Sequence, residues 1–502
     1  MKWTIVDSAK PKSKEFQLFP VIDHFGFREY DARWRYGEQI NLLGLQCLGS
    51  ALATQLWETE QDAPAVIVGH DYREYSMAVK EALTAGLLAA GARVHDIGLG
   101  ITPMSYFARS HLEIGGLAFV TASHNENPWT GVKVGVRSPL TFGPDDMKRL
   151  KEISMGGQYK SGHGSYVYEP GVRDAYIESL IHLASLKRKI RVVASTGNGT
   201  CGLFAPRVLS GIGCDVIEQD TELDWTFPHG NPNPESVSML ERLSQRVVAE
   251  KADVGFAFDG DGDRLGVVDD QGNELYSDKL GLLLARHLVK EHPGSRFVAD
   301  VKSTGLFMDD PILSKSGSSV EYWITGHSHM KKRIADTSAL AGFEKSGHFF
   351  FAPPIGKGYD DGLVSAVMVC EMLESEGSPL SEIRKGLRQT WQTPTLGLEC
   401  SEAEKYEIVS RVQKRYEDLA KKSGRLIGSK IESLVVVNGV RVVLDEGTWG
   451  LVRASSNKPS LVVVAESRVS EQRLRDMFAE IDHTIRSVGK VGSYDQPFGV
   501  VA

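Results

Sequence analysis

The sequence predicts an α/β protein made of three units of one plan and a fourth, α+β unit of a different kind. Three observations carry this reading. From about residue 38, short apolar runs alternate with longer segments of helical apolar spacing, as in sheets covered by helices on both faces. The rhythm restarts near residues 169 and 274, giving units of 1–168, 169–273 and 274–390. Around Pro379–Pro394 the style changes to grouped strand-like runs with two helices, which sets 391–502 apart.

Residues 1–20 read as an irregular leader, followed by Phe27–Trp34, dense in charge and rings. Helical spacing over about 38–58 leads to a strand at Ala65–Val68 and a helix over about 76–91, closed by Gly91. Val94–Gly98 is the next strand, then a helix from Thr102-Pro103 to about 112 and a strand at 116–121. The Gly- and Ser-rich stretch 154–165 is expected to be a loop or hairpin near a boundary. The second unit has helices near 173–186, 202–212 and 235–249 and strands at Ile190–Ala194, Asp215–Glu218 and Val254–Phe258. The third runs from a helix at 277–291 through a strand at Arg296–Asp300 to a helix at 361–375. The fourth has helices near 402–422 and 469–487 and strands at Glu432–Asn438, Val440–Leu444, Trp449–Arg453 and Leu461–Ala465. No short-period repeat interrupts this pattern.

With 502 residues, the chain is long enough for several buried cores. The net charge of −8 argues against a nucleic-acid binder or a basic membrane-surface protein, but not against an anionic substrate met by a local cluster of cations. The five cysteines are scattered, without a CxxC pair, so neither zinc nor a disulfide framework is indicated, and a reducing cytosol fits. The N-terminus lacks the apolar core of a signal peptide, and no run approaches the ~20 apolar residues of a membrane span. A cytoplasmic protein is expected.

Four segments carry chemistry. The apolar run 116–120 ends in Thr121-Ala122-Ser123-His124-Asn125, placing a hydroxyl at a strand's C-terminal edge, where open α/β sheets bind ligands. A plain polar turn is the alternative. Asp259-Gly-Asp-Gly-Asp263 has carboxylates at i, i+2 and i+4 with glycines between, so that all three can face one point. Such oxygen-only ligation selects a hard divalent cation such as Mg²⁺; an acidic turn or a calcium loop are alternatives. A helix–loop–helix calcium site would need Glu twelve residues in, where this chain has Asp270. Arg264 lies beside the cluster. Arg453-Ala-Ser-Ser-Asn-Lys-Pro459 combines a guanidinium with small polar side chains and turn amides, the makings of a phosphate cradle or of an ordinary hairpin loop. Glu344-Lys-Ser346 puts a carboxylate and a hydroxyl on one side if the segment is extended, as neighbouring sugar hydroxyls require; a polar turn is the alternative.

Together and in this order, the four segments resemble the α-D-phosphohexomutase superfamily, and within it the bacterial phosphomannomutase/phosphoglucomutase group. Thr121–Asn125 resembles its phosphoserine loop, Asp259–Arg264 its metal loop, Phe343–His348 its sugar loop and Arg453–Pro459 its phosphate loop. Tyr30-Asp-Ala-Arg33, Gly69-His-Asp-Tyr-Arg73, Thr102-Pro103, Gly131-Val-Lys133 and Gly326-His327 are lesser matches. The resemblance implies three similar mixed-sheet α/β domains and a C-terminal TATA-box-binding-protein-like α+β domain around a central cleft. It implies a phosphoryl group carried on Ser123, passed to a hexose phosphate to give a hexose 1,6-bisphosphate, and returned. That bisphosphate would be both intermediate and activator, and hexose phosphates the only partners of a monomer or homodimer.

By the same resemblance Asp259, Asp261 and Asp263 hold Mg²⁺ against the phosphoryl oxygens on Ser123. Arg33 and Lys133 serve as acid/base or charge support, and His124 either orients the site or is a satisfied structural histidine. Tyr30, Arg264, Lys302, His327 and His348 contact the substrate, Glu344 and Ser346 read the O3 and O4 hydroxyls, and Arg453, Ser455, Ser456 and Asn457 hold the non-transferring phosphate. The chain departs from the pattern at Trp34, where Gly is usual; at Glu126-Asn127, which separate Asn125 from Pro128; at Phe343; and at Ser456-Asn457-Lys458. None of these removes a required chemical group. The expected activity is interconversion of hexose 6-phosphate and 1-phosphate, mannose first and glucose second. Phosphoglucosamine mutase is the nearest alternative, and a non-catalytic sugar-phosphate-binding paralogue is the rival of another class.

Overall fold

A computed structural model describes residues 2–59, 62–422, 424–456 and 458–498. Two compact units are present: Met1–Ser277 with Ser346–Glu382, and Asp278–Lys345 with Ile383–Ala502.

The first unit contains two sheets. In the first, β1 (Ala32–Arg35), β2 (Ala65–His70), β3 (Arg93–Leu99), β4 (Gly116–Val120), β5 (Trp129–Gly135) and β6 (Ser165–Tyr168) lie in the order β1-β5-β4-β2-β3-β6. Neighbours among β2, β3, β4 and β6 run parallel, whereas β5 returns antiparallel to β4, and β1 is antiparallel to β5. Every residue of β4 is buried, as expected of an inner strand covered on both faces. The helices Leu42–Leu56 and Ser76–Ala89 pack on the sheet through Leu45, Leu48, Leu52, Leu83 and Leu87. They also pack on each other closely enough that a Cβ at Gly86 would lie 1.9 Å from the Gln46 carbonyl.

In the second sheet, β7 (Arg191–Ser195), β8 (Asp215–Gln219), β9 (Val254–Phe258), β10 (Leu265–Asp269) and β11 (Glu274–Leu275) follow the order β11-β10-β9-β7-β8. Here too a buried parallel strand, β9, ends in a loop, and the next strand, β10, returns antiparallel to it. The helix Val237–Glu250 covers this sheet through Met239, Leu240, Leu243 and Val247. The two sheets therefore offer the same place to chemistry: the loop from the third strand to its antiparallel neighbour.

In the second unit, β12 (Arg296–Asp300), β13 (Ser319–Trp323) and β14 (Ala341–Phe343) are parallel, with β12 central. This repeats the order of β4-β2-β3 and β9-β7-β8. The C-terminal sheet is antiparallel and includes Ser429–Val435, Val440–Leu444, Trp449–Ala454 and Ser460–Ser467. The amphipathic helices Lys405–Lys421 and Glu471–Val488 bury Ile408, Val412, Leu474, Met477 and Ile481 against it. On the other side the buried Arg441 donates to the Val301 and Ser303 carbonyls at 2.9 and 2.7 Å, its guanidinium 4.1 and 3.6 Å from the ring centres of Tyr322 and Trp449. Glu466 accepts from the Thr304 hydroxyl, the Gly305 N–H and the Trp449 indole at 2.7, 2.7 and 2.8 Å. These bonds fix the turn after β12, which carries Lys302.

Two expectations change, and one choice between two readings is decided. The stretch 154–165 is only partly a loop: it begins with the end of the helix Pro144–Gly156, which Gly157 stops at φ 64°, and it ends at β6. Strand β5 has no apolar run to announce it, because the buried polar residues Thr130 and Lys133 interrupt the pattern. The segment Glu344–His348 is not extended. It turns at Lys345-Ser346, and Gly347 takes φ 90°, so of the two readings of this segment the polar turn is the one the chain adopts.

Candidate active site

In the first unit, Ser123 lies just past the end of β4, buried, with φ 52°. That left-handed conformation is uncommon for a residue with a Cβ and costs about 1 kcal/mol or more. Its N–H donates to the Thr121 hydroxyl at 2.8 Å. Its own hydroxyl donates to Asp259 Oδ2 at 2.8 Å and lies 3.1 Å from His124 Nδ1. Asp259, Asp261 and Asp263 fill the β9–β10 loop, fully buried, each offering an oxygen within 4.8 Å of the others. The two loops touch so closely that a Cβ at Gly260 would stand 2.6 Å from the Ser123 carbonyl oxygen.

The cluster draws partners from the first sheet and from a helix beside it. Lys133, on β5 opposite Phe119 of β4, donates to Asp261 Oδ2 at 3.0 Å and pairs closely with Asp263. Thr102, the first residue of the helix Thr102–His111, donates its hydroxyl to the same Asp261 oxygen at 2.5 Å and its N–H to the Asp261 carbonyl at 2.9 Å. Arg33 on β1 donates to Asp31 at 2.8 Å and to the Ala122 carbonyl at 3.4 Å, with Tyr30 buried nearby. The Arg264 backbone N–H donates to Asp259 Oδ1 at 3.2 Å, and its side chain reaches His348 at 2.9 Å and Glu235 at 3.2 Å. His348 Nδ1 lies 3.0 Å from Asp360 and 3.6 Å from Asp263.

Charges in this enclosed place are strongly perturbed. Burial and the carboxylates of Asp263 and Asp261 push Asp259 well above the ordinary range. Burial also opposes ionisation of Asp261, but Lys133 and the Thr102 hydrogen bond outweigh it and hold that group below its usual range. Lys133 stays firmly protonated: burial disfavours its charge, yet Asp261 and Asp263 more than compensate. His124 is driven neutral by burial and by Arg264 and Arg33. One oxygen of Asp261 and one of Asp263 are buried without a hydrogen-bond partner. Orphaned carboxylate oxygens beside a carboxyl pushed toward its neutral form are what a hard cation would relieve, so the donor set fits a divalent ion.

Ser346 also belongs to the first unit. Lys302, His327, Glu344, Arg453, Ser455 and Ser456 belong to the second, and Asn457 lies outside the described residues. Asp300 organises the first part of this set, accepting from Ser303 Oγ at 2.6 Å, Thr325 Oγ1 at 3.0 Å and the Lys345 N–H at 3.3 Å, with Lys302 Nζ at 3.5 Å. Glu344 accepts the Gly326 N–H at 2.6 Å beside His327, which opens the helix His327–Thr337. Arg453, next to last in the strand Trp449–Ala454, donates from its side chain to the Ala454 carbonyl at 2.9 Å. Lys405 Nζ, buried, donates to the carbonyls of Ser455 and Lys458 at 2.7 and 3.3 Å and so shapes the loop between the last two strands. Thr102, Asp300, Asp360 and Lys405 were not assigned roles from sequence. Only Thr102 left a trace there, in the Thr102-Pro103 pair.

Comparison with known proteins gives a consistent result. Residues 24–159, 174–272, 276–391 and 398–484 match, in order, the family models for α/β/α domains I, II and III and the C-terminal domain of phosphoglucomutase/phosphomannomutase. The chain is 32% identical over 463 residues to a phosphomannomutase/phosphoglucomutase of Pseudomonas syringae pv. tomato, covering 91% of this chain and 95% of the relative. It is 31% identical over 457 residues to a phosphoglucomutase of Neisseria gonorrhoeae, covering 91% and 96%. Among solved structures, a phosphoglucomutase/phosphomannomutase family protein from Burkholderia thailandensis superimposes with a TM-score of 0.83 at 28% identity, over 93% of this chain and 98% of that one.

Proposed function

The chain belongs to the bacterial phosphomannomutase/phosphoglucomutase group of the α-D-phosphohexomutase superfamily, and from this we propose that it interconverts hexose 6-phosphate and hexose 1-phosphate through a phosphoryl group carried on Ser123. The observation that carries the proposal is the Ser123 hydroxyl, 2.8 Å from Asp259 in a buried cluster of three carboxylates. A serine hydroxyl is a weak nucleophile unless its surroundings help it, and here the surroundings are charged and buried.

Mg²⁺ held by Asp259, Asp261 and Asp263 would neutralise charge on the phosphoryl oxygens. The chain's own residues do the rest. The cations of Arg33 and Lys133, held charged by Asp31 and by Asp261 and Asp263, supply fixed positive potential beside Ser123. When the sugar hydroxyl attacks phosphorus, a new O–P bond forms, the P–Oγ bond breaks with its electron pair returning to Ser123 Oγ, and the proton that the sugar hydroxyl gives up ends on that oxygen. Neutral His124, with Nδ1 3.1 Å from Oγ, is placed to accept a hydrogen bond from the Ser123 hydroxyl as it re-forms and so to orient it. The hexose 1,6-bisphosphate so formed turns over and returns its other phosphate to Ser123.

In this reading Glu344 and Ser346 meet O3 and O4, while Lys302, His327, Arg264, His348 and Tyr30 contact the sugar phosphate. Arg453, Ser455, Ser456 and Asn457 hold the phosphate that does not move. The 2-hydroxyl, where mannose and glucose differ, goes unread, which permits both sugars. Four domains with boundaries near 168, 273 and 390, a cytoplasmic setting and a monomer or homodimer complete the proposal. No described helix is long and apolar enough to cross a membrane.

The test is a coupled assay with mannose, glucose and glucosamine phosphates, with and without glucose 1,6-bisphosphate. Mg²⁺-dependent turnover of mannose and glucose phosphates, raised by the bisphosphate, is expected. Turnover of glucosamine phosphate alone would replace the sugar assignment, and binding without turnover would identify a non-catalytic paralogue.

A further inference from the structure

We propose that Arg73 and Asn127 form a latch that holds the Ser123 loop in its reactive conformation, as positioning residues that never touch the reacting atoms. The proposal rests on the reading of Ser123 as phosphoryl carrier. Arg73 follows β2 in the turn Asp71-Tyr72-Arg73, and it is buried. One nitrogen of its guanidinium donates to both the Ser123 carbonyl at 2.9 Å and the Asn125 carbonyl at 2.7 Å. Another donates to Asn127 Oδ1 at 3.0 Å. The fork is aimed by Asp71 at 3.3 Å and by the Phe227 ring beneath it, 5.2 Å from the guanidinium carbon. The same Asp71 oxygen accepts the Ala122 N–H at 3.2 Å.

The main chain is thus gripped at 122, 123 and 125, on both sides of the nucleophile. Ser123 has φ 52°, a conformation that a serine keeps only when its surroundings impose it. A planar fork can satisfy three acceptors at once, which an ammonium on a flexible stem does not do in fixed geometry.

Asn127 extends the grip to the neighbouring sheet's loops. Its Oδ1 also accepts from the Tyr75 hydroxyl at 3.1 Å, and its Nδ2 donates to the Trp225 carbonyl at 2.8 Å. Trp225 lies between β8 and the helix that precedes β9, the strand leading into the carboxylate loop. Asn127 therefore ties the loop bearing Ser123 to the sheet bearing Asp259, and the 2.8 Å register between Ser123 Oγ and Asp259 depends on that tie.

The full-length chain tests this. For wild type, Asn127→Ala, Asn127→Asp, Arg73→Lys and Ser123→Ala, one measures kcat, KM for glucose 6-phosphate, and phosphoryl uptake from glucose 1,6-bisphosphate by intact mass. Asn127 is exposed, so its variants fold. Asn127→Ala is expected to lower kcat and the rate of phosphoryl uptake about tenfold, with KM within about twofold. Asn127→Asp keeps the acceptor for Arg73 and Tyr75 but loses the donor to Trp225, so its kcat is expected to fall between those of Asn127→Ala and wild type, about threefold below wild type. Arg73→Lys is expected to lose about a hundredfold in kcat; if it does not fold, the Asn127 pair decides alone. Wild-type kcat in Asn127→Ala, or a rise in KM matching the fall in kcat, overturns the latch. Ser123→Ala separates the two readings: turnover in that variant sinks the phosphoserine reading itself, whereas an inactive Ser123→Ala beside fully active latch variants sinks only the latch.

Discussion

Replacing Thr102 by Val tests whether the carboxylate cluster is a cation site tuned from outside. The change deletes one hydroxyl and keeps both the β-branch and nearly the same volume. That hydroxyl donates to Asp261 Oδ2 at 2.5 Å in a fully buried position, where Lys133 also donates to the same oxygen at 3.0 Å. A hydrogen bond to a charged group is worth about 1.5–3 kcal/mol, and partners that orient metal ligands typically contribute roughly 10–100-fold in metal affinity. The apparent Kd for Mg²⁺ should therefore rise at least about tenfold, from calorimetric titration and from activity against Mg²⁺ concentration. At saturating Mg²⁺ kcat should recover to near wild type. An unchanged Mg²⁺ dependence would refute the reasoning, as would a loss of kcat that saturating Mg²⁺ does not restore.

Asp361, raised to about 7 by burial, caps the helix Gly362–Glu376 and accepts from Tyr176 at 2.9 Å. The native state holds its proton more tightly than the unfolded chain does, so stability should fall as pH rises from about 4 to about 7 and then level, by up to about 4 kcal/mol from this group. Asp361→Asn keeps the cap and should narrow the gap between Tm at pH 5 and at pH 8; an unchanged gap contradicts the assignment. Gly260→Ala forces a Cβ to within 2.6 Å of the Ser123 carbonyl oxygen, so kcat should fall tenfold or more, on the order of 1.4 kcal/mol, and normal turnover would show that the loops have room. Glu344→Gln should weaken binding of the sugar phosphate more than binding of Mg²⁺, measured by separate titrations; equal losses would remove Glu344 from the sugar's vicinity.

The parts of the site that were legible in the sequence are those that carry their chemistry locally. Asp259-Gly-Asp-Gly-Asp263 brings its own carboxylates and its own turn, and Ser123 follows a run of apolar residues that can only be an inner strand. The repeated rhythm of strand and helix marked three similar sheets, and they do share one strand order. What stayed hidden comes from elsewhere in the chain. Thr102 and Arg73 stood only in lesser matches with no role assigned, Asp360 and Asp300 in none, and all four reach their partners through hydrogen bonds or ion pairs between distant segments, which no local spacing encodes. Strand β5 was hidden because a buried lysine, needed at the carboxylates, reads as a solvent-facing residue. Glu344–Ser346 left two readings open, an extended segment or a polar turn, and the chain takes the turn at Lys345-Ser346, followed by Gly347 at φ 90°. Glu126-Asn127 looked like an unexplained lengthening of the loop, and the Asn127 side chain turns out to bridge Arg73, Tyr75 and Trp225.

The central claim is that the phosphoryl group travels on Ser123, whose hydroxyl meets Asp259 at 2.8 Å. The direct measurement is to load the protein with glucose 1,6-bisphosphate and Mg²⁺ and locate the phosphoryl group by peptide mass spectrometry. The account predicts one adduct, on the peptide containing Ser123, discharged by glucose or mannose 6-phosphate and missing in Ser123→Ala together with turnover. An adduct on another residue, or turnover that survives Ser123→Ala, would contradict it.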